Sequence, residues 1–80
     1  MTIGEACKIR IQNLCNERKI TLNKLAIISG ITQSTLNNIV SGRNNSTTVS
    51  TIKKLCDGLE ISITEFFSDG IFEDLEQEVK

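Results

Sequence analysis

The sequence predicts an all-α fold, a compact bundle of five short helices in one small domain of 80 residues. Three observations point there. Apolar residues recur at three- and four-residue spacing in stretch after stretch, while no alternating strand pattern runs longer than a few residues. A Thr or Ser stands directly ahead of each such stretch, where a helix needs an N-cap. The chain has no proline, so caps and glycines provide all of its punctuation. A domain this short is marginal unless its helices pack well.

The first helix opens at Thr2-Ile3-Gly4-Glu5, a capping box with Glu5 at the third helical position, and runs to about Arg18. Cys7, Ile11, Leu14 and Cys15 form its apolar stripe. Lys8, Arg10, Gln12 and Asn13 lie off that stripe, which makes Lys8 and Arg10 solvated charges. Arg18 and Lys19 place positive charge at the C-terminal end, where the helix dipole favours it. Thr21 caps the second helix, whose buried face is supplied by Leu25 and Ala26. Gly30 ends it, because glycine accepts the left-handed conformation cheaply. Thr32 caps a third helix carrying Leu36, Ile39 and Val40 at helical spacing, and Gly42 ends that one. Ile20 and Ile31 each precede a cap, and Leu25 and Leu36 each lie four residues beyond it. That is the hydrophobic-staple spacing, which fixes how the chain enters each helix and so sets the two relative to each other.

Gly42 to Thr47 is a polar loop. A fourth helix follows from Val49 to about Gly58 behind the cap Thr48, with Val49, Ile52, Leu55, Cys56 and Leu59 as its buried face. Ser62-Ile63-Thr64-Glu65 is a second capping box, Ile61 and Phe66 form another staple, and a short fifth helix carries Phe66 and Phe67. Residues 1–68 make up the predicted domain. Residues 69–80 are an acidic tail with scattered Ile71, Phe72, Leu75 and Val79, readable as a short helix or a frayed end.

Composition excludes several classes. Three widely spaced cysteines, with no CxxC pair and no histidine, make neither a disulfide framework nor a metal site, and they read as buried or free reduced thiols. No apolar run approaches the ~20 residues of a membrane span, and the N-terminus lacks a signal pattern, so a cytoplasmic protein is expected. There is no nucleophile with a plausible base and no Gly-rich phosphate loop, so neither an enzyme nor a cofactor is expected. The net charge is -1, but its distribution is uneven. Up to Asn45 there are six basic and two acidic residues; beyond it there are three basic and eight acidic. A domain polarised in this way can meet phosphate with one end while its total stays near zero.

The stretch from Thr21 to Gly42 organises the rest. It holds two short helices, a glycine turn between them, and on the second helix a face of Gln33, Ser34, Asn37, Asn38 and Ser41. That face is polar, uncharged and short-armed, suited to hydrogen-bond patterns on base edges and poor at salt bridges. These are the parts of a helix-turn-helix reader of double-stranded DNA.

At this point the residues are similar to a known family. From Ile11 to Phe67 the chain resembles the phage-repressor and Cro-like (Xre-type) helix-turn-helix regulators. IQNLCNERKIT matches the first helix and its exit, LAIISGIT the second helix and turn, QSTLNNIVSGR the recognition helix, and TVSTIKKLCDGLEISITEFF the segment that closes the bundle. The resemblance implies a transcriptional regulator, in all expectation a repressor, that binds a palindromic operator as a homodimer. It implies that Gln33, Ser34 and Asn38 read bases, with Thr32, Thr35 and Asn37 beside them. Asn23 and Lys24 are then phosphate neighbours at the start of the second helix, and Arg43, Asn44 and Asn45 meet the backbone. Phe67, Ile71, Phe72 and Leu75 are the candidates for a dimer contact.

There are departures from the family pattern. Cys15 stands where the family usually has Arg, and Val40 where it usually has Glu. That pair is a salt bridge in similar chains, and here both members are apolar, which predicts that Cys15 and Val40 touch. Leu22 replaces a Gln that would contact phosphate, leaving the backbone N–H groups at that helix start to do so. Ile27 and Ile28 stand where polar residues are usual, and at most one of them can face the core. The competing expectation follows from these departures: a protein-interaction module on the same fold, with Ile27 and Ile28 as a docking patch or covered by the tail's Ile71, Phe72 and Leu75.

Overall fold

A computed structural model describes residues 1–41 and 47–79. It contains five α-helices: α1 (Ile3–Arg18), α2 (Leu22–Ser29), α3 (Gln33–Val40), α4 (Val49–Leu59) and α5 (Ile63–Phe67), followed by a 3-10 turn over Gly70–Phe72. The architecture is all-α, with no strand among the described residues.

Each helix begins where its cap dictates. Thr2, Thr21, Thr32, Thr48 and Ser62 all have extended backbones and accept the N–H three residues on. Both capping boxes close. Glu5 accepts from the Thr2 N–H at 3.3 Å, and Glu65 from the Ser62 N–H at 3.3 Å. The Thr2 backbone bond, and then its hydroxyl, hold the Glu5 carboxyl below its ordinary pKa.

Three helix exits are built alike. Lys19, Gly30 and Glu60 take the left-handed conformation, with φ of 55°, 68° and 58°. The next residue is always isoleucine, and its N–H bonds back into the helix: Ile20 to Cys15 O at 3.1 Å, Ile31 to Ala26 O at 3.2 Å and Ile61 to Cys56 O at 3.0 Å. This is the Schellman closure. Each isoleucine packs against the core and directly precedes the next cap, so one residue both seals one helix and staples the following one.

The core is a single apolar cluster. Ile11, Leu25, Leu36, Leu55, Cys56, Leu59 and Phe66 are its most deeply buried members, with Cys7, Leu14, Cys15, Ala26, Ile39 and Ile52 around them. Val40 packs on this cluster and Cys15 is within it, so both members of the expected pair have joined the apolar interior. Leu22 also packs on it, which is why a side chain at the start of α2 can be apolar.

α2 packs on both α3 and α4. The approach to α4 is close at Gly58, where an added Cβ would overlap Ser29 Oγ and lie 3.0 Å from Ile28 O and Ser29 Cα. Ser29 is buried there, and its hydroxyl has no partner among the described residues.

Three expectations need correction. Val49 is 75 % exposed rather than buried. As the first residue of α4 it borders an open apolar recess of about 150 Å³ with Ile3, Cys7, Thr47, Ile52 and Phe67, outside the core. Arg10 is not a solvated charge. Its Nε donates to Phe66 O at 2.8 Å, one terminal nitrogen donates to Glu65 O at 3.0 Å, and the other lies 3.4 Å from Asp69 Oδ2. α1 thereby satisfies the C-terminal carbonyls of α5. The third concerns α2. Neither Ile27 (68 % exposed) nor Ile28 is buried, in keeping with at most one of them facing the core; what needs correcting is covering by the tail, since the segment after α5 leaves Ile27 exposed. The 3-10 turn packs on α1 instead, where Phe72 stacks edge-on against Phe67 at 4.9 Å and lies 6.1 Å from Phe66. Asp69 caps that turn by accepting the Ile71 N–H at 2.9 Å, and the Glu76 N–H bonds to Met1 O at 2.9 Å.

Candidate nucleic-acid interface

α3 is amphipathic in a way that divides its labour. Leu36 and Ile39 are buried and Val40 is half-buried, which fixes the rotation of the helix against α1 and α2. The opposite face follows from that rotation. Gln33, Ser34, Asn37, Asn38 and Ser41 line one open concavity of about 380 Å³. Gln33, Asn37 and Ser41 form one row at four-residue spacing, and Ser34 and Asn38 form a second beside it.

The hydroxyls at the two ends of α3 have fixed roles. Thr32 Oγ1 accepts the Thr35 N–H at 3.1 Å and donates its own proton to Thr35 Oγ1 at 2.8 Å. Thr32 is therefore a cap with no proton to spare, while Thr35, exposed beside it, keeps its own proton to donate outward. At the far end Ser41 donates to Asn38 O at 3.3 Å and presents lone pairs. The amide side chains of Gln33, Asn37 and Asn38 have no hydrogen-bond partner among the described residues, although each carries both donors and acceptors. No residue of α3 ionises, so the hydrogen-bonding pattern of this face is the same across the physiological pH range.

Of the other residues singled out in the sequence, Asn23 and Lys24 are exposed in the first turn of α2, with the Lys24 N–H bound by the Thr21 cap at 3.1 Å. A second cleft, of about 400 Å³, opens between the end of α1 and the start of α2 and is lined by Gln12, Cys15, Asn16, Ile20, Thr21 and Leu22. Arg43, Asn44 and Asn45 lie outside the described residues. Phe67 is exposed on α5, whereas Ile71, Phe72 and Leu75 are half-buried, so the four dimer candidates do not present one uniform apolar surface. Ser41, expected on the polar face of α3, lines the same concavity as the amides. The signal for it was the four-residue row from Gln33 through Asn37, which runs one position past the last apolar residue of the helix.

Among the described residues no group of three or more His, Cys, Asp or Glu is placed to hold a metal ion, and no helix is long and apolar enough to cross a membrane. Burial raises the pKa of all three thiols, Cys7, Cys15 and Cys56, and none lies on α3.

The chain matches known proteins over this same region. Residues 10–69 match the model of the Cro/C1-type HTH DNA-binding domain, a family of DNA-binding regulators and not of enzymes. The chain is also similar to an uncharacterised HTH-type transcriptional regulator, RghRB, of Bacillus subtilis (strain 168). The two are 36% identical over 52 residues, which is 65% of this chain and 37% of the relative, so this chain spans well under half of that protein's length. No solved structure matches. With the helix-turn-helix of α2 and α3 in place and most of its length matched, the chain belongs to the Cro/C1-type helix-turn-helix DNA-binding family.

Proposed function

We propose that this protein is a sequence-specific transcriptional repressor that inserts α3 into the major groove of an operator. The observation that carries the proposal is the single neutral concavity of Gln33, Ser34, Asn37, Asn38 and Ser41, turned outward by the burial of Leu36 and Ile39. Groups of this type distinguish bases by hydrogen bonding and add little non-specific attraction. In this reading Gln33, Ser34 and Asn38 contact bases, helped by Asn37 and Thr35. Asn23, Lys24, Arg43 and Asn44 hold phosphates and fix the register, while Thr32 acts as the cap that sets the first turn of α3. Residues 1–68 act as the DNA-binding unit, with residues 69–80 as an acidic appendage. Two copies meet through Phe67 and its neighbours Ile71, Phe72 and Leu75 on a palindromic site, with half-sites about 34 Å apart. A regulator of this kind acts in the cytoplasm, where its operator is.

The test is binding of the protein and of Gln33→Ala to duplexes selected from random DNA and to unselected duplex. Gln33→Ala should cost about 1–3 kcal/mol on selected DNA and little on unselected DNA. Equal losses on both would reduce Gln33 to a backbone contact. An enriched palindrome supports the dimer, and a single enriched half-site removes it.

A second reading, a protein-interaction module on this fold, is favoured by one observation: Ile27 is 68 % exposed on α2. A folded protein that enriches no sequence would decide for that reading.

A further inference from the structure

We infer that the α3 face selects for adenine, so that the base pairs beneath it are A·T rather than G·C. This rests on the reading of α3 as the base-contacting helix and goes further, by naming the kind of half-site. The argument starts from which groups the face offers. In the major groove guanine shows two acceptors, O6 and N7, and is gripped best by two donors from one cation, Arg or Lys. Adenine shows an acceptor and a donor side by side, N7 and N6, and is gripped best by an amide, which has a donor and an acceptor side by side. From Gln33 to Ser41 the chain has three amides and no Arg, Lys, Asp or Glu. The three amides, Gln33, Asn37 and Asn38, line the same concavity and have no hydrogen-bond partner among the described residues. Their pairing capacity is open to a ligand.

The hydroxyls leave this choice to the amides. Ser41 donates to Asn38 O at 3.3 Å, and its lone pairs accept from adenine N6 and cytosine N4 alike, so it does not choose between A·T and G·C. Ser34 remains free to serve either base. Spacing limits the number of base pairs involved. Gln33 to Asn37 is about 6 Å along the helix and Gln33 to Ser41 about 12 Å. At about 3.4 Å per base step this is three to four steps, so the face covers at most about four to five consecutive pairs. Adenine should therefore recur at two or more positions in that window, on either strand.

The experiment is a selection from random duplex DNA carried out in parallel with the wild-type protein, Gln33→Ala and Asn37→Ala. Both side chains are exposed, and circular dichroism checks that each variant folds. Positions whose preference relaxes in a variant are those read by the lost amide. The expected result is that these positions are A·T and lie within four base pairs of each other. Placing 7-deazaadenine there should weaken wild-type binding at least about fivefold, and placing it outside the window should change little. Relaxed positions that are G·C would overturn the inference while leaving sequence-specific reading intact, and so would indifference to 7-deazaadenine. A folded wild-type protein that enriches nothing would overturn the reading itself, and the inference with it.

Discussion

Ser29 and Gly58 meet where α2 packs on α4, and the cost of each residue explains the other. Glycine inside a helix is about 1 kcal/mol worse than alanine, yet any side chain at 58 would press into Ser29 and the α2 backbone. Ser29 has a buried hydroxyl with no partner among the described residues, and an unsatisfied group of this kind costs about 1–3 kcal/mol. Ser29→Ala should therefore raise stability by up to about 1 kcal/mol in urea unfolding. Gly58→Ala should lower it by about 1–2 kcal/mol, overpacking outweighing the better helix propensity. The double variant should recover part of that loss, because the overlapping Oγ is gone while the 3.0 Å approach to backbone remains. Strict additivity would show that the two residues do not press on each other. Much of the candidate site was legible at this scale. The amides of α3 follow from which positions are not apolar, and Ser41 follows from the same row. Arg10 was not legible. Periodicity says that it lies off the apolar stripe of α1, but its acceptors are carbonyls more than fifty residues away, and only packing brings them together.

At the scale of the element, the helix junctions carry the fold. Lys19-Ile20-Thr21, Gly30-Ile31-Thr32 and Glu60-Ile61-Ser62 repeat one device: a left-handed residue, an isoleucine and a cap. The caps and staples were visible in the sequence, because Thr, Ser and Ile at fixed offsets have local physical reasons to be there. Two of the three left-handed positions were not, because Lys and Glu carry no sign of positive φ as Gly30 does. The buried stripe of α4 was visible except for Val49, since spacing cannot tell whether a neighbouring element reaches the first turn of a helix. A left-handed conformation costs a non-glycine residue about 1–2 kcal/mol, part of which glycine returns as entropy in the unfolded chain. Glu60→Gly should thus raise stability by about 0.5–1 kcal/mol, read as a higher urea midpoint with an unchanged slope. A fall would mean that the Glu60 side chain supplies an interaction greater than the backbone strain. Arg10 argues in the other direction. Arg10→Met keeps much of the aliphatic stem but removes the donors to Phe66 O and Glu65 O, and should cost about 2–3 kcal/mol. Amide hydrogen exchange should show early opening of α5 and the 3-10 turn, whereas uniform loss of protection would mean that Arg10 does not act locally.

At the scale of the whole molecule, the three thiols report on the core as one unit. Cys7 and Cys15 are each 4 % exposed and Cys56 is fully buried, and they come from α1 and α4, two helices that contribute to the same apolar cluster. Burial pushes all three above the ordinary thiol value of 9.0, because a thiolate in the core would lose its hydration. The sign for stability follows. Below the ordinary value both folded and unfolded chains hold their thiol protons, and stability is fully present. As the pH rises past 9.0 the unfolded chain ionises while the folded one resists, so the unfolded state binds fewer protons and stability falls, until the pH passes the raised folded values. Each thiol can contribute a slope of at most about 1.4 kcal/mol per pH unit. Urea midpoints should accordingly be flat from neutral pH upward and begin to drop near 9.0, with thiolate absorbance rising only along the unfolding transition. A Cys-specific reagent should label all three residues at a single rate that tracks global unfolding, since none is more than 4 % exposed in the native fold. Thiolate absorbance in the native baseline near pH 9, or one cysteine labelled well ahead of the others, would show that the core opens in parts. Cys7 and Cys15 are the residues at which that would appear first, because each borders an open recess, Cys7 with Val49 and Phe67 and Cys15 with Thr21 and Leu22.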